Sequence, residues 1–149
     1  MRSMVLGWCF LALALSSHVA GAGNVLITDE EAALPPSTNA PKYPLTARAI
    51  TRPPGLILVS PEKAVTSPFN LQFKFQAHGS SSIKPDSFHL IYLKNPTVDL
   101  TARVRPYLTA SGVEMPEAEA PPGRHMIETK ISDSDGRESS GVFVLNVIK

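Results

Sequence analysis

Residues 69–76 read Phe-Asn-Leu-Gln-Phe-Lys-Phe-Gln, and this stretch decides the fold class. Large apolar side chains alternate with polar side chains along its whole length. Because successive side chains of a β-strand point to opposite faces, this alternation places one face in a core and the other in water. The pattern therefore predicts an amphipathic strand in a domain built from β-sheets.

Strand patterns also lie on both sides of this segment. GLILVS at 55–60 is a short apolar run between two prolines, and SFHLIYL at 87–93 alternates so that its Phe, Leu and Tyr side chains face inward, after a polar loop, GSSSIKPDS. Residues 105–123 are interrupted by prolines and glycine and predict shorter, less regular strands. Asp99 is expected to cap a helical turn through residues 100–104.

Residues 123–147 contain two more alternating runs, separated by Asp133-Ser134-Asp135-Gly136. A calcium loop between two helices with Gly136 at position 6 would place Ile131 and Val142 at positions 1 and 12, and neither side chain can ligate. In a hairpin, Asp-Gly supplies two residues that tolerate positive φ, and Asp133 can bond its own turn backbone. We therefore predict a tight turn, although the two aspartates could still join a looser calcium site with acids from other loops.

Several strands at a spacing of roughly ten residues, with no helix of ordinary length, predict an all-β fold. Gly-x-His, the alternating residues and Asp-x-x-Gly of 123–136 are similar to the last hairpin of bacterial immunoglobulin-like domains. Ser60-Pro61 and Ser67-Pro68, before an aromatic-rich strand, resemble their first strands. Over about residues 55–149, the resemblance implies an immunoglobulin-like antiparallel β-sandwich of about seven strands. That fold hosts unrelated functions.

The first 22 residues are organised like a secretory signal peptide. Arg2 precedes an apolar run at 4–15, and Ala20-Gly21-Ala22 fits the cleavage pattern. The apolar run is shorter than the roughly 20 residues of a membrane span. We therefore expect residues 1–22 to be cleaved off between Ala22 and Gly23, leaving a periplasmic or secreted protein without stable membrane insertion.

Cleavage would remove Arg2, Trp8 and Cys9 and leave 13 basic and 13 acidic residues. Such a neutral balance does not provide the positive field that nucleic-acid or anionic-lipid binding requires. An exported domain without cysteine has no disulfides and depends on its own core. Thiol catalysis is excluded for the same reason.

Residues 23–54 contain six prolines and few large apolar residues, which is typical of an extended linker. Thr28-Asp29-Glu30-Glu31 is a capping-box pattern for a short helix, and Pro35 would end that helix after about a turn and a half. We expect an ordered stub on a solvated, Pro-rich N-terminal arm. A short motif that docks on a partner is the alternative, and the sequence leaves open whether the arm packs on the sandwich.

Histidine and methionine together suit copper, and the predicted mature chain contains His78, His89 and His125 along with Met115 and Met126. No two of the histidines are close in sequence, and there is no His-x-His or methionine-rich run, so no metal site is predicted. His89 should lie on the outer face of its strand. His125 begins a strand, where its ring is expected to bond a backbone corner.

A serine run and two glutamate pairs are the remaining candidates for catalysis. GSSS at 79–82 has neither a Gly-x-Ser-x-Gly context nor a clear base, and is expected to be a flexible loop. Glu30/Glu31 and Glu117/Glu119 would be the paired carboxylates of a glycoside hydrolase, but nothing in the sequence raises one pKa above the other. We predict no enzyme, no catalytic residue and no cofactor.

The sequence leads to two hypotheses of function. The first is an exported, non-catalytic immunoglobulin-like module that binds a protein partner through an exposed strand edge or through the arm. The alternative is a periplasmic protein that binds a small ligand, either metal or carbohydrate. For carbohydrate stacking, only Tyr43 and Tyr107 are free of a predicted core position. Neither the partner-binding residues nor the oligomeric state follow from the sequence.

Overall fold

The computed structural model describes residues 23–38 and 52–149. In these residues ten β-strands, two short α-helices and one 3-10 turn follow one another along the chain. Their bounds are β1 Asn24–Val25, α1 Asp29–Ala33, β2 Gly55–Ser60, β3 Val65–Thr66, β4 Phe69–Gln76, β5 Ile83–Tyr92, β6 Val98–Asp99, α2 Thr101–Val104, the 3-10 turn Arg105–Tyr107, β7 Leu108–Thr109, β8 Gly112–Glu119, β9 Gly123–Asp133 and β10 Glu138–Ile148.

The strands form two sheets of five strands each. The first has the order β1-β8-β4-β2 with β7 also paired to β8, and the second has the order β3-β10-β9-β5-β6. All pairings between long strands are antiparallel, whereas the two-residue strands β1 and β3 run parallel to β8 and β10. The predicted all-β sandwich is confirmed. The strand number exceeds seven because four two-residue strands add to six longer ones.

The alternation in β4 is confirmed, because its apolar side chains are buried or packed against the core while most of its polar side chains are exposed. The Phe73 ring lies 5.9 Å from the Phe88 ring of β5 and 5.2 Å from the Phe143 ring of β10, the latter edge-on. Offset and edge-on arrangements suit the charge distribution of aromatic rings. Phe73 thus connects the two sheets, and burial of each such side chain contributes roughly 1.5–3 kcal/mol.

Strand β5 is longer than the sequence predicts. It begins at Ile83, so the second half of the segment expected to be a polar loop belongs to a strand. The pairing of β5 with β9 shifts register between Lys84 and His89. Such an irregularity accommodates Pro85, which cannot donate a ladder hydrogen bond.

Strand β8 corrects the prediction of short, less regular strands in 105–123. It is one continuous strand, although it contains Pro116. Its pairing with β4 shifts register opposite Asn70, and Glu117 there has a φ of 50°. The proline is tolerated because it lies at this bulge. The helical turn predicted after Asp99 is confirmed as α2, and the Asp99 carboxylate accepts a hydrogen bond from the Thr101 amide at 2.8 Å.

Residues 23–38 pack on the sandwich, and we call them the N-terminal segment. β1 pairs with β8 of the first sheet, Leu26 and Ile27 are 0% and 2% exposed, and Pro36 forms a bridge with Lys94 beside β5 of the second sheet. The sequence leaves open whether the arm packs on the sandwich, and for these residues the structure shows that it does, because two adjacent apolar side chains complete the core. Residues 39–51 of the predicted arm and the predicted signal peptide, 1–22, lie outside the described residues.

The helix predicted in this segment is confirmed. It begins after Thr28, whose hydroxyl accepts from the Glu31 amide while the Glu31 carboxylate accepts from the Thr28 amide. It ends at Ala33, close before Pro35, as the capping box and the proline predict. No helix in the described part of the chain is long and apolar enough to span a membrane.

Candidate functional site

The Asp-Ser-Asp-Gly sequence between β9 and β10 forms the predicted turn. One Asp133 oxygen accepts from the amides of Asp135 and Arg137 at 3.0 Å each, and the other accepts from the Arg137 guanidinium at 2.8 Å. Gly136 has a φ of 76°, whereas Asp135 does not adopt positive φ. The turn is therefore a three-residue loop closed by a glycine in the left-handed region, and not the two-residue turn that Asp-Gly suggests.

The ionisation of Asp133 is fixed by the same contacts. Burial opposes its charged form, but the backbone and guanidinium hydrogen bonds from Arg137 outweigh burial and hold the pKa of Asp133 below its ordinary value. Both carboxylate oxygens are committed to the turn and to Arg137. The arrangement fixes the register of β9 against β10.

The three histidines of the described residues lie on different elements and make different contacts. His89 is exposed on the outer face of β5, as predicted, and the His78 carbonyl accepts from Ser81 of the 79–82 stretch. His125 is buried; its Nε2 lies 2.8 Å from the Pro121 carbonyl oxygen and its Nδ1 lies 2.7 Å from the Tyr92 hydroxyl. Because a carbonyl only accepts, Nε2 carries the proton and Nδ1 accepts from Tyr92.

The predicted bond from His125 to a backbone corner is confirmed. Burial lowers the pKa of His125, and the positive charge of Lys94 lowers it further. The hydrogen bond to Pro121 acts in the opposite direction but does not outweigh burial. Burial also raises the pKa of Tyr92 to about 12, with Glu31 adding to the rise. Both groups are therefore uncharged at neutral pH, and both ring nitrogens are engaged within the protein.

The methionines and the remaining metal-ligand types do not assemble around these histidines. Met115 is buried in the core of the first sheet, whereas Met126 is half-buried on the outer face of the second. In the part of the chain that the structure describes, no group of three or more His, Cys, Asp or Glu side chains could hold a metal ion.

The members of each carboxylate pair differ in burial and in contacts. Glu31 accepts from both terminal nitrogens of Arg103 at 2.7 Å, and Glu30 is exposed. Glu117 is exposed at the β8 bulge, and Glu119 ends the same strand half-buried. Glu31 thus holds the N-terminal segment through its pair with Arg103, and the backbone carbonyl of Glu119 holds it by accepting from the amides of Leu26 and Ile27.

Of the two tyrosines that could stack on a carbohydrate, the structure describes only Tyr107. The Tyr107 hydroxyl donates to the Asn24 side chain at 2.6 Å, so it fastens the beginning of the N-terminal segment to the sandwich. Tyr43 lies outside the described residues. No local sequence pattern indicates the Tyr107 contact, because its partner is 83 positions away.

Two basic side chains hold α1 at its two ends. Arg103 of α2 bonds the Glu31 carboxylate and also donates to the Leu26 carbonyl oxygen at 2.7 Å. Lys94 donates to two carbonyl oxygens at the C-terminal end of α1, at 2.8 Å each. The hydrogen bond from Arg103 holds the pKa of Glu31 below its ordinary value, although burial opposes this. The N-terminal segment therefore closes one side of the sandwich with internal contacts.

The opposite side of the sandwich is open. Among the described residues, β2 pairs only with β4, and β10 pairs with β9 along its length but with β3 only at Val147 and Ile148. We call residues 55–60 of β2 and 138–146 of β10 the open edge. An uncovered edge presents unpaired backbone N–H and C=O groups that can template another strand.

Apart from Glu138 at its beginning, the open edge lacks the residues that usually discourage pairing. Residues 55–60 and 139–148 contain neither a charged residue nor a proline. Natural edge strands are commonly protected by lysine, proline or a covering element. Ile57 of β2 and Ile148 at the end of β10 are also large apolar side chains that are 49% and 53% exposed.

A hollow of about 220 Å³ lies between the two strands of the open edge. It is lined by apolar side chains of both sheets, by Thr129 of β9 and by the small residues that begin β10. They are Leu56, Leu58, Phe73, Thr129, Ser139, Ser140, Gly141, Val142 and Phe143. Side chains of an added strand alternate, so one set could enter this hollow while its backbone pairs with the edge.

Comparison with known proteins does not add to these observations. No family model matches the chain, and no match is found among curated proteins or solved structures. The sequence predicted an exposed edge without naming its residues. The signal that identifies them is the absence of charge and proline across two strand-forming stretches, 55–60 and 139–148.

Proposed function

We propose that the protein is an exported, non-catalytic immunoglobulin-like module that binds another protein by strand addition at the open edge. Strand order supports the immunoglobulin-like assignment. The orders β2-β4-β8 and β10-β9-β5 correspond to strands A-B-E and G-F-C of an immunoglobulin sandwich. The short strands β1 and β7 lie beside β8, where the fourth strand of the first sheet is expected.

The observation that carries the protein-binding proposal is the uncharged stretch of β10 that no other described strand pairs with on its free side. Strand addition obtains affinity from backbone hydrogen bonds and specificity from pockets for alternate side chains. The free side of residues 138–146 offers backbone groups for such hydrogen bonds, and the hollow beside it offers a pocket for side chains of the added strand. Export is supported by the signal-peptide pattern of the first 22 residues.

The alternative of a small-ligand carrier has no comparable support in the described residues. Among these residues no group of three or more His, Cys, Asp or Glu side chains could hold a metal ion, and His125 uses both ring nitrogens internally. Tyr107 is likewise engaged with the N-terminal segment.

The proposal is tested with two lysine substitutions that differ in one respect. Val142 of β10 and Ile91 of β5 are both half-buried, both lie opposite Glu128 on the outer face of the second sheet, and Glu128 can pair with a lysine from either side. Ile91 is on a strand paired on both sides, whereas Val142 is on the open edge. We expect Val142→Lys to abolish capture of the partner and Ile91→Lys to retain it.

The measurement is crosslinking and affinity capture from the envelope fraction of the native host, using the chain that starts at Gly23. Equal capture by both variants would contradict strand addition at β10. A third variant, Glu30→Lys, alters an exposed position of α1 and tests whether the N-terminal segment contributes. Deletion of residues 23–54 is a poor test, because it would remove Leu26 and Ile27 from the core.

A further inference from the structure

The backbone of Gly23 lies directly against the carboxylate of Glu119. A β-carbon built on Gly23 would overlap this carboxylate, and all three of its nearest neighbours are carboxylate atoms of Glu119. Glu119 is half-buried, and within the described residues its carboxylate takes part in no hydrogen bond or ion pair. A carboxylate without a partner thus faces the residue that begins the predicted mature chain.

The residues that follow Gly23 hold it in this place. The Asn24 amide group donates to the Pro116 carbonyl oxygen at 2.7 Å, while its oxygen accepts from Tyr107. The amides of Leu26 and Ile27 donate to the backbone carbonyl of Glu119 itself, at 2.8 and 3.2 Å. Chain ends are usually poorly ordered unless they are tied down, and here the restraints begin one residue after Gly23.

The surroundings of Glu119 favour a cation. A hollow of about 390 Å³ lies beside the N-terminal segment and the end of β8, and its titratable side chains are Asp29, Glu30 and Glu119. No basic side chain lines it. An ammonium group at the Glu119 carboxylate would therefore meet no basic side chain from this hollow.

We propose that the α-amino group of Gly23, released by cleavage after Ala22, forms an ion pair with the Glu119 carboxylate. In this step water hydrolyses the peptide bond, Ala22 leaves with the new carboxylate, and the Gly23 nitrogen takes up a proton. An uncharged amide with one proton becomes an ammonium with three donors. The proposal rests on the export of the protein but not on its open edge.

The pair links signal-peptide removal to the packing of the N-terminal segment. The nitrogen is bonded to the α-carbon that faces Glu119, so the charge appears within a few ångströms of the carboxylate. An α-amino group with a pKa of about 7.7–8.0 is protonated at neutral pH. Removal of the signal peptide would thereby complete the closed side of the sandwich.

The test is a cycle of four purified chains. Two chains begin at Gly23, and two carry Ala20-Gly21-Ala22 before it. Of each pair, one chain retains Glu119 and the other carries Glu119→Gln. Urea unfolding at pH 6.5 gives the ratio of folded to unfolded protein. We expect the start at Gly23 to raise this ratio about two- to fivefold when Glu119 is present, the range of a partly exposed pair, and to leave it unchanged in the Glu119→Gln chains.

A second readout is the pKa of the terminal amine, measured by NMR on the chain that starts at Gly23. Pairing raises this pKa in the folded state, so the stabilisation is present at and below the unfolded value and is lost as the pH rises through the folded value. Glu119→Gln should abolish the rise, whereas Glu138→Gln, which alters an exposed acid at the start of β10 in the second sheet, should preserve it.

Equal effects of the extension with and without Glu119 would overturn the proposal, and so would a mature terminus other than Gly23 in N-terminal sequencing of the exported protein. Capture experiments at the open edge decide the proposed function separately. A chain that shows the coupling between Gly23 and Glu119 but captures no partner would refute strand addition and support the ion pair.

Discussion

The two sides of this sandwich are completed in opposite ways. On the closed side, the N-terminal segment runs from β8 of the first sheet to Lys94 beside β5 of the second, and the Arg103–Glu31 ion pair and core side chains fix it there. On the open edge, β2 and β10 lie next to each other with no described element over them. The comparison teaches that the fold can cover an exposed edge with its own chain, and that residues 23–38 do so on the closed side.

Charge is distributed in the same way. The closed side gathers Glu31, Arg103, Lys94 and Glu119, whereas the strands of the open edge carry no charge between residues 55 and 60 or between 139 and 148. Surface charge near a strand edge discourages association. The open edge is thus the side on which another chain can pair at the lowest cost.

The largest expected effect is on the closed side, where Leu26 is fully buried. Leu26→Ala should reduce the free energy of unfolding by about 2–5 kcal/mol, because it removes core contacts and leaves a cavity. Urea denaturation measures this change. Val25→Ala is the matched control, since Val25 is 43% exposed and should change stability by less than about 0.5 kcal/mol. Equal losses would mean that the segment contributes no core packing.

The ion pair between Arg103 and Glu31 comes next. Arg103→Met should lower the free energy of unfolding by about 1–3 kcal/mol at pH 7, between the values for exposed and buried pairs. Because the folded pKa of Glu31 is lowered, its contribution is present above the unfolded pKa and is lost as the pH falls through the folded value. The variant should lose this acid dependence, whereas Arg124→Met, an exposed change, should keep it.

A smaller effect is expected from the two hydrogen bonds of the buried His125 ring. His125→Gln keeps one acceptor and one donor but changes their positions, so we expect a loss of about 1–2 kcal/mol at pH 8. The lowered pKa of His125 means that the unfolded chain binds a proton first, and stability should fall from about pH 6.5 downwards. His89→Gln, an exposed change, should leave both stability and this pH dependence unaltered.

The smallest folding effect is expected at the open edge. Val142→Lys should change the free energy of unfolding by less than about 0.5 kcal/mol, because the new ammonium can reach water and lies opposite Glu128. Its effect should instead be on binding. A loss of several kcal/mol in urea denaturation would show that this strand is held from both sides and is not an edge.

The sequence predicts most of the sandwich because strand periodicity is local. The alternation in 69–76 and the paired runs of 123–147 fix which side chains face the core, and the structure agrees. The capping box and Pro35 likewise determine α1 from neighbouring residues. These features depend on side chains within a few positions of one another.

The remaining features depend on distant partners. Leu26 and Ile27 are too few to reveal a core position in a proline-rich segment, and the contact of Gly23 with Glu119 joins residues 96 positions apart. Pro116 predicts a break in a strand, but a bulge opposite Asn70 allows β8 to continue. The unpaired side of β10 also depends on the order of strands, which no local pattern contains.

The change of sheet between β2 and β3 gives the open edge a direction. β2 belongs to the first sheet and β3, only a few residues later, to the second, where it pairs with Val147 and Ile148 of β10. β3 therefore covers β10 at one end and leaves its other end, near Ser139, unpaired on that side among the described residues. An incoming strand can pair with at most about nine residues of β10, or about 30 Å, and its pairing must stop before Val147, where β3 is already bound.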